Sequence, residues 1–214
     1  MVSCTCIQIG KSSLFNLLSK HNVPAANYPF CTIDPAFAKI PVPDERMDQL
    51  VKIYKPEKEI PAVLTIHDIA GLVKGASEGK GLGNAFLSHI SAVDAIFHVC
   101  RAFKDKEVEH VESSVDPVRD LDIISTELIQ KDLSLVKRKH DDLHKIITRG
   151  VNKTKETQRQ YETMKKALDY LENNVDIREG DWTNDDVETL NELQLLTAKY
   201  VYNRNLGATD RCFI

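Results

Sequence analysis

The strongest constraint on the fold is a pair of short, continuous, mainly apolar runs, Ala62 to Ile69 and Ala95 to Cys100, each bounded by turn or polar residues. Such runs read as buried strands. Up to about Asp132, β-branched runs of this kind alternate with helical or loop stretches, and that alternation predicts an α/β fold, a mostly parallel sheet flanked by helices. The character then changes. Val136, Leu143 and Ile147 make one apolar stripe, Gly150 to Lys153 breaks it, and Tyr161, Met164, Leu168 and Leu171 make another. The three- and four-residue steps predict an antiparallel helical hairpin or coiled coil. Thr183-Asn184-Asp185-Asp186 has the form of a capped helix start before Val187, Leu190 and Leu193, and Tyr200 to Asn203 reads as one more strand.

A chain of 214 residues, 42% hydrophobic and 28% charged, fits one soluble globular domain or one domain carrying an insertion, which excludes disorder and collagen-like repetition. With 28 Lys+Arg against 32 Asp+Glu the net charge is −4, so no global field draws the chain to nucleic acid or anionic lipid, and any such binding must come from a local patch. The five cysteines are odd in number and form no C-x-x-C pair, which suggests reduced thiols rather than a disulfide framework or a zinc site. No apolar run approaches the roughly 18 residues that span a bilayer. Met1 to Phe15 lacks the basic start and apolar centre of a signal peptide. The expected location is the cytoplasm, with no membrane partner.

Gln8-Ile9-Gly10-Lys11-Ser12-Ser13 leads into the helical Leu14-Phe15-Asn16-Leu17-Leu18 and carries the second half of a P-loop, G-x-x-x-x-G-K-[ST]. Backbone amides at the helix start cradle phosphate oxygens, the lysine neutralises β/γ charge, and the next hydroxyl ligates Mg2+. The first glycine of the motif is absent, since Thr5 stands there, and only Met1 to Cys4 remain for the preceding strand. Further along, Asp68-Ile69-Ala70-Gly71 ends a predicted strand, where D-x-x-G closes on metal and γ-phosphate in nucleotide switches. Between the two, Thr32 is suited to be a second hydroxyl ligand of the metal. Taken singly, these features have plainer readings: a polar loop before an amphipathic helix, a strand terminator, a turn cap. Their order favours the switch. The metal set is then Ser12, Thr32 and Asp68, with Lys11 and Gly71 acting on the γ-phosphate.

Tyr28-Pro29-Phe30-Cys31-Thr32-Ile33-Asp34-Pro35, Val42-Pro43-Asp44-Glu45-Arg46, Asp68 to Ala76, Gly81 to Ile90 and Val115-Asp116-Pro117 resemble the signature blocks of the Obg-like ATPase (YchF) family. The resemblance runs from about Thr5 to Asp210. It implies a Ras-like P-loop nucleotide domain interrupted by a helical coiled-coil insertion, followed by more of that domain and a TGS domain. Neither of those last parts lies within the 214 residues, and the chain is expected to be truncated at both ends. The expected division is 1–130 for the nucleotide domain with an incomplete first strand, 131–193 for the insertion, and 194–214 for the start of the returning segment.

The resemblance further implies Mg2+-dependent ATP hydrolysis and an association with ribosomes or translation. Leu72 replaces the water-orienting glutamine of ordinary GTP switches and cannot hydrogen-bond to water. Catalysis is then expected to rest on phosphate and metal positioning. His67 and His89 are the nearest water-orienting candidates by sequence, with a structural role as the plainer reading of each. For the base, Asn205 and Leu206 match the family's Asn-hydrophobic-x-Glu, but Ala208 stands at the acidic position. Guanine selection is disfavoured, because neither lysine nor carboxylate is present, and ATP is expected to bind better than GTP. The alternatives are a non-catalytic truncated variant that acts as a binding module through its helical arm, and, less favoured, a GTP-specific switch.

That arm is polarised. Residues 137–166 hold ten basic and four acidic side chains, and residues 167–192 hold nine acidic side chains against Arg178. Two readings stand: a basic arm for RNA, plausibly ribosomal, or a solvated helix pair whose opposite charges face each other.

Overall fold

The computed structural model of the chain describes residues 2–5, 10–20, 36–69, 88–105, 114–150 and 154–206. Two compact units emerge, one from Met1–Gly71, Val93–Val115 and Asn203–Ile214, the other from Leu72–Ala92 and Asp116–Tyr202.

The first unit is built on a five-stranded sheet. Its strands are β1 (Val2–Thr5), β2 (Ala36–Pro41), β3 (Val63–Asp68), β4 (Ala95–Arg101) and β5 (Tyr200–Leu206), in the order β2-β3-β1-β4-β5. The apolar runs of the sequence are β3 and β4, and the strand expected from Tyr200 continues to Leu206. Where an incomplete first strand was expected, the four residues of β1 occupy the centre of the sheet. They pair in parallel with β3 (Val2↔Ile66, Cys4↔Asp68) and with β4 (Val2↔Ala95, Thr5↔His98). The parallel strands β1, β3 and β4 therefore end along one edge, at Thr5, Asp68 and Arg101. β2 is antiparallel to β3, from Ala36↔Asp68 to Pro41↔Val63. Its last residue is Pro41, at the sheet's edge, where a missing N–H costs least. Helix α1 (Lys11–Ser19) lays Phe15 against Ala38 and Ile66, with Leu18, Ile40 and Leu64 around them. Helix α2 (Glu45–Tyr54) starts at Asp44, whose side chain accepts from the Arg46 amide.

The second unit is helical. Helix α3 runs unbroken from Pro117 to Arg149, about 50 Å at 1.5 Å per residue. Asp116 caps it by accepting from the Arg119 amide, and Pro117 sits in the first turn, where its missing N–H is harmless. The helix thus passes straight through residue 131, where the arm was expected to begin, and the compact unit takes in Asp116–Tyr202. Gly150, at φ 69°, closes α3 in a left-handed conformation that glycine adopts without strain. After the break, α4 (Lys155–Glu172) begins at the Thr154 cap and packs along α3. The two stripes meet in a core of Ile129, Val136, Leu143, Met164, Ala167 and Leu171, extended by Ile177, Leu190 and Leu195. Helix α5 (Asn184–Asn191) opens with the full reciprocal cap between Thr183 and Asp186.

One buried carboxylate ties the far end of this unit to α3. Asp132 accepts from the Leu196 amide (3.0 Å), the Thr197 amide (2.7 Å) and the Thr197 hydroxyl (2.7 Å). Burial pushes its pKa above the ordinary carboxylate range, and the three donors pull against that rise. Among the described residues no helix is long and apolar enough to cross a membrane. Asp132→Ala is expected to leave two buried amides without an acceptor and to destabilise the helical unit by about 3 kcal/mol. Hydrogen exchange at Leu196 and Thr197 should accelerate accordingly, and unchanged protection there would contradict the assignment.

Candidate functional site

The head of α1 and the tail of β3 form one constellation. Gly10 caps α1 at φ 98°, ψ −9°, in left-handed space where a side chain would be strained, and it brings no side-chain cap to the helix's first amides. Its carbonyl accepts from the Leu14 amide at 2.8 Å, so the helix is properly wound from its start. A helix head of this kind directs amides and a partial positive charge toward an anion. Lys11 follows and is buried, 8% exposed. Ser13 is exposed on the first turn.

Ser12 reaches across the unit. Its hydroxyl donates to Asp68 Oδ2 at 2.6 Å, over 56 positions of sequence. Asp68 closes β3 with no exposed surface, and its other oxygen, Oδ1, is buried without a hydrogen-bond partner. Burial raises the Asp68 pKa, against the Ser12 hydrogen bond and the Lys11 charge, which both lower it. The sign follows directly: a raised native pKa favours folding most at acidic pH, and that contribution is lost as pH rises through the raised value. The fold therefore carries a buried carboxyl group with an acceptor oxygen unfilled among the described residues, and ionising it there is costly. A hard cation beside Oδ1 would relieve both, and the hydroxyl and carboxylate oxygens present are the donors Mg2+ prefers. Ser12 and Asp68 thus fit the metal set expected from the sequence. Thr32 and Gly71 lie outside the described residues, as do Gln8, Ile9, Leu72 and Ala208. Asn205 and Leu206 fall at the end of β5.

The two histidines belong to different parts of the structure. His67 precedes Asp68 on β3 and so leaves the opposite face of the sheet, beside Phe37 at 6.2 Å between ring centroids. His89 belongs to the helical unit, in the turn 88–91, where its carbonyl accepts from the Ala92 amide. A residue not singled out by sequence, Arg101, is buried at the end of β4 and donates to the carbonyls of Phe103 and Asp105, each at 2.9 Å, with its guanidinium over the Phe103 ring. It thereby pins the segment that leaves the strand-end edge, where open α/β sheets bind ligands. A charged residue at the end of an otherwise continuous apolar run was the available signal.

The model of the family described as 50S ribosome-binding GTPase matches residues 7–139. The Obg-like ATPase 1 of Oryza sativa subsp. indica is 54% identical over 203 residues, 94% of this chain and 51% of the relative. The Homo sapiens Obg-like ATPase 1 is 47% identical over 208 residues, again 94% of this chain and 51% of the relative. The solved structure of the Schizosaccharomyces pombe YchF GTPase superposes with a TM-score of 0.78 at 48% identity, covering 97% of this chain and 56% of that one. The chain spans about half the length of the curated relatives it matches. With the helix head, the Ser12–Asp68 bond and the sheet order agreeing, the chain belongs to this P-loop nucleotide-binding family and, within it, to the Obg-like ATPases of the YchF type.

Proposed function

We propose that this chain binds a purine nucleoside triphosphate together with Mg2+, ATP in preference to GTP, and hydrolyses the β–γ phosphoanhydride bond. The observation that carries the reading is the 2.6 Å bond from Ser12 to Asp68 beside an orphaned carboxylate oxygen, at the head of a helix opened by left-handed Gly10. In this reading the amides of residues 8–13 cradle the phosphates, the Lys11 ammonium draws charge from the β and γ groups, and Gly71 offers its amide to the γ-phosphate. Ser12, Thr32 and Asp68 would hold the metal, Asp68 through water, and bound Mg2+ would supply charge neutralisation across the β and γ oxygens. With Leu72 unable to orient water, the chain's own contribution is positioning and electrostatics. Asn205 and Leu206 would flank the base. The relatives' printed names include both ATPase and GTPase, and the preference for ATP rests on the absence of a guanine-reading lysine and carboxylate at Leu206 and Ala208.

The proposal extends to location and partner: a cytoplasmic protein whose helical unit contacts ribosomal or other RNA. Supporting it, Lys137, Arg138, Arg149, Lys155 and Lys165 are exposed and stand in no ion pair among the described residues. The opposing reading, a helix pair neutralising itself, accounts among the described residues for the ion pairs of Lys139 with Glu192 and Arg159 with Asp185, and for the charge of Lys166 acting on Asp186.

Calorimetric titration of the purified chain with ATP and GTP, in Mg2+ and in a chelator, should give Mg2+-dependent binding with ATP the tighter ligand. Absence of binding to either nucleotide would overturn the proposal. Lys11→Ala should weaken triphosphate affinity by about 1.5–3 kcal/mol, the scale of a charge-assisted hydrogen bond; equal affinity would remove Lys11 from the site. Asp68→Asn should abolish the Mg2+ dependence while its melting temperature gains on that of the parent as pH rises, because burial makes the ionised carboxylate costly without its cation. A melting temperature that loses ground to the parent over the same rise would show that the carboxylate is satisfied without metal.

A further inference from the structure

We infer that the ring cluster His140–Tyr161–His144 on the helical hairpin is a base-stacking site for single-stranded RNA. The inference rests on the RNA-binding reading of the arm and names where on it the bases sit.

His140 and His144 stand four residues apart on α3 and share a face, and Tyr161 reaches them from α4. The three rings are nearly parallel: His140 and Tyr161 lie 4.8 Å apart at 25°, His144 and Tyr161 5.8 Å at 30°, and the two histidines 6.4 Å at 7°. On the buried side the same turns supply Val136, Leu143 and Met164 to the core; Tyr161 packs against that core with part of its ring, and neither histidine belongs to it. His144 is exposed and His140 and Tyr161 half-buried, which leaves aromatic faces and polar edges open to a flat ligand.

The surrounding charge favours a polyanion. Lys137 lies one turn before His140 on the same face of α3, and Lys165 one turn after Tyr161 on α4; both are exposed. The four acidic side chains of residues 137–166 are all engaged. Asp141 lies 3.3 Å from His140 Nδ1, Asp142 holds Lys145, Glu156 holds Arg159, and Glu162 accepts from Gln158. Lys166 is engaged over the Trp182 ring and by the Asp181 carbonyl. What the stretch presents outward is thus cationic with an aromatic centre, the combination that binds single strands by phosphate contact and stacking. A duplex already stacks its bases on each other and would leave the rings unused.

The test uses the whole purified chain and a labelled oligouridine of about twelve nucleotides, within the site sizes common for single-strand binders. Starting near about 50 mM salt makes the phosphate contacts easy to read. Affinity should fall at least about fivefold in His144→Ala and in Tyr161→Leu with the salt slope unchanged, while Tyr161→Phe stays near the parent. Lys137→Glu combined with Arg138→Glu should instead flatten the slope by about 0.7 for each phosphate that is no longer neutralised. The exposed His144 can be removed without touching the core, so its result stands even if Tyr161→Leu loosens the hairpin. Its ring protons should also shift upfield when RNA is added to the parent. Parental affinity in His144→Ala with weakening confined to the charge-reversed variant would overturn the stacking site and leave the basic arm. Tighter binding of a duplex than of the strand would overturn the single-strand assignment. No binding by the parent would overturn the RNA reading of the arm and the stacking site with it.

Discussion

The hydrogen bond from Ser12 to Asp68 joins the two pieces of chain on which the proposed nucleotide site is built. The bond exists because β1 separates β3 from β4 and feeds its chain into α1, so that the helix head arrives beside the end of β3. Phe15, packed on Ala38 and Ile66, fixes the helix one turn further along. The hydrophobic contact positions the helix, and the polar contact sets what its first turn can bind. An ionised carboxylate with one oxygen bonded and the other unfilled is costly in an unliganded protein, and functional sites often accept such costs.

The helical unit shows the opposite arrangement. Asp132 is as deeply buried as Asp68, yet both of its oxygens are engaged by the chain's own amides and hydroxyl. Its role is to hold the Leu196–Ala198 turn against α3, and Lys199 anchors the same region through the Ser91 carbonyl. Two aspartates of similar burial thus differ in the unfilled acceptor and in the Lys11 charge beside Asp68, and those differences separate the candidate binding site from the brace.

Much of this was legible in the sequence for stateable reasons. β3 and β4 announce themselves because central parallel strands are apolar on both faces. The Gly150 break, the Thr183 cap and the two stripes of the hairpin follow from local rules that the structure keeps. β2 was not singled out, because an edge strand carrying Lys39 and Pro41 lacks the apolar continuity of its neighbours. The start of α3 at Pro117 was missed for a different reason: residues 117–130 have the mixed polarity of a helix that serves its own unit, and nothing in them marks where the hairpin begins. At the site, Gly10, Lys11, Ser12 and Asp68 were chosen from motif order, but the orphaned oxygen is a property of packing that no motif prints. The triad of rings was equally hidden. His140 and His144 are far in sequence from Tyr161, and only the pairing of α3 with α4 brings them together.

The central claim is that Ser12 and Asp68 form the metal end of a nucleotide site. Substituting Mn2+ for Mg2+ in the presence of ATP turns the metal into a local relaxation probe, read through the backbone amide resonances of the labelled chain. The account predicts that Mn2+ with ATP broadens the signals of Lys11, Ser12 and Asp68 first, leaving those of α2 and of Leu196 and Thr197 sharp. Broadening centred elsewhere, with the Ser12 and Asp68 signals intact, would contradict it.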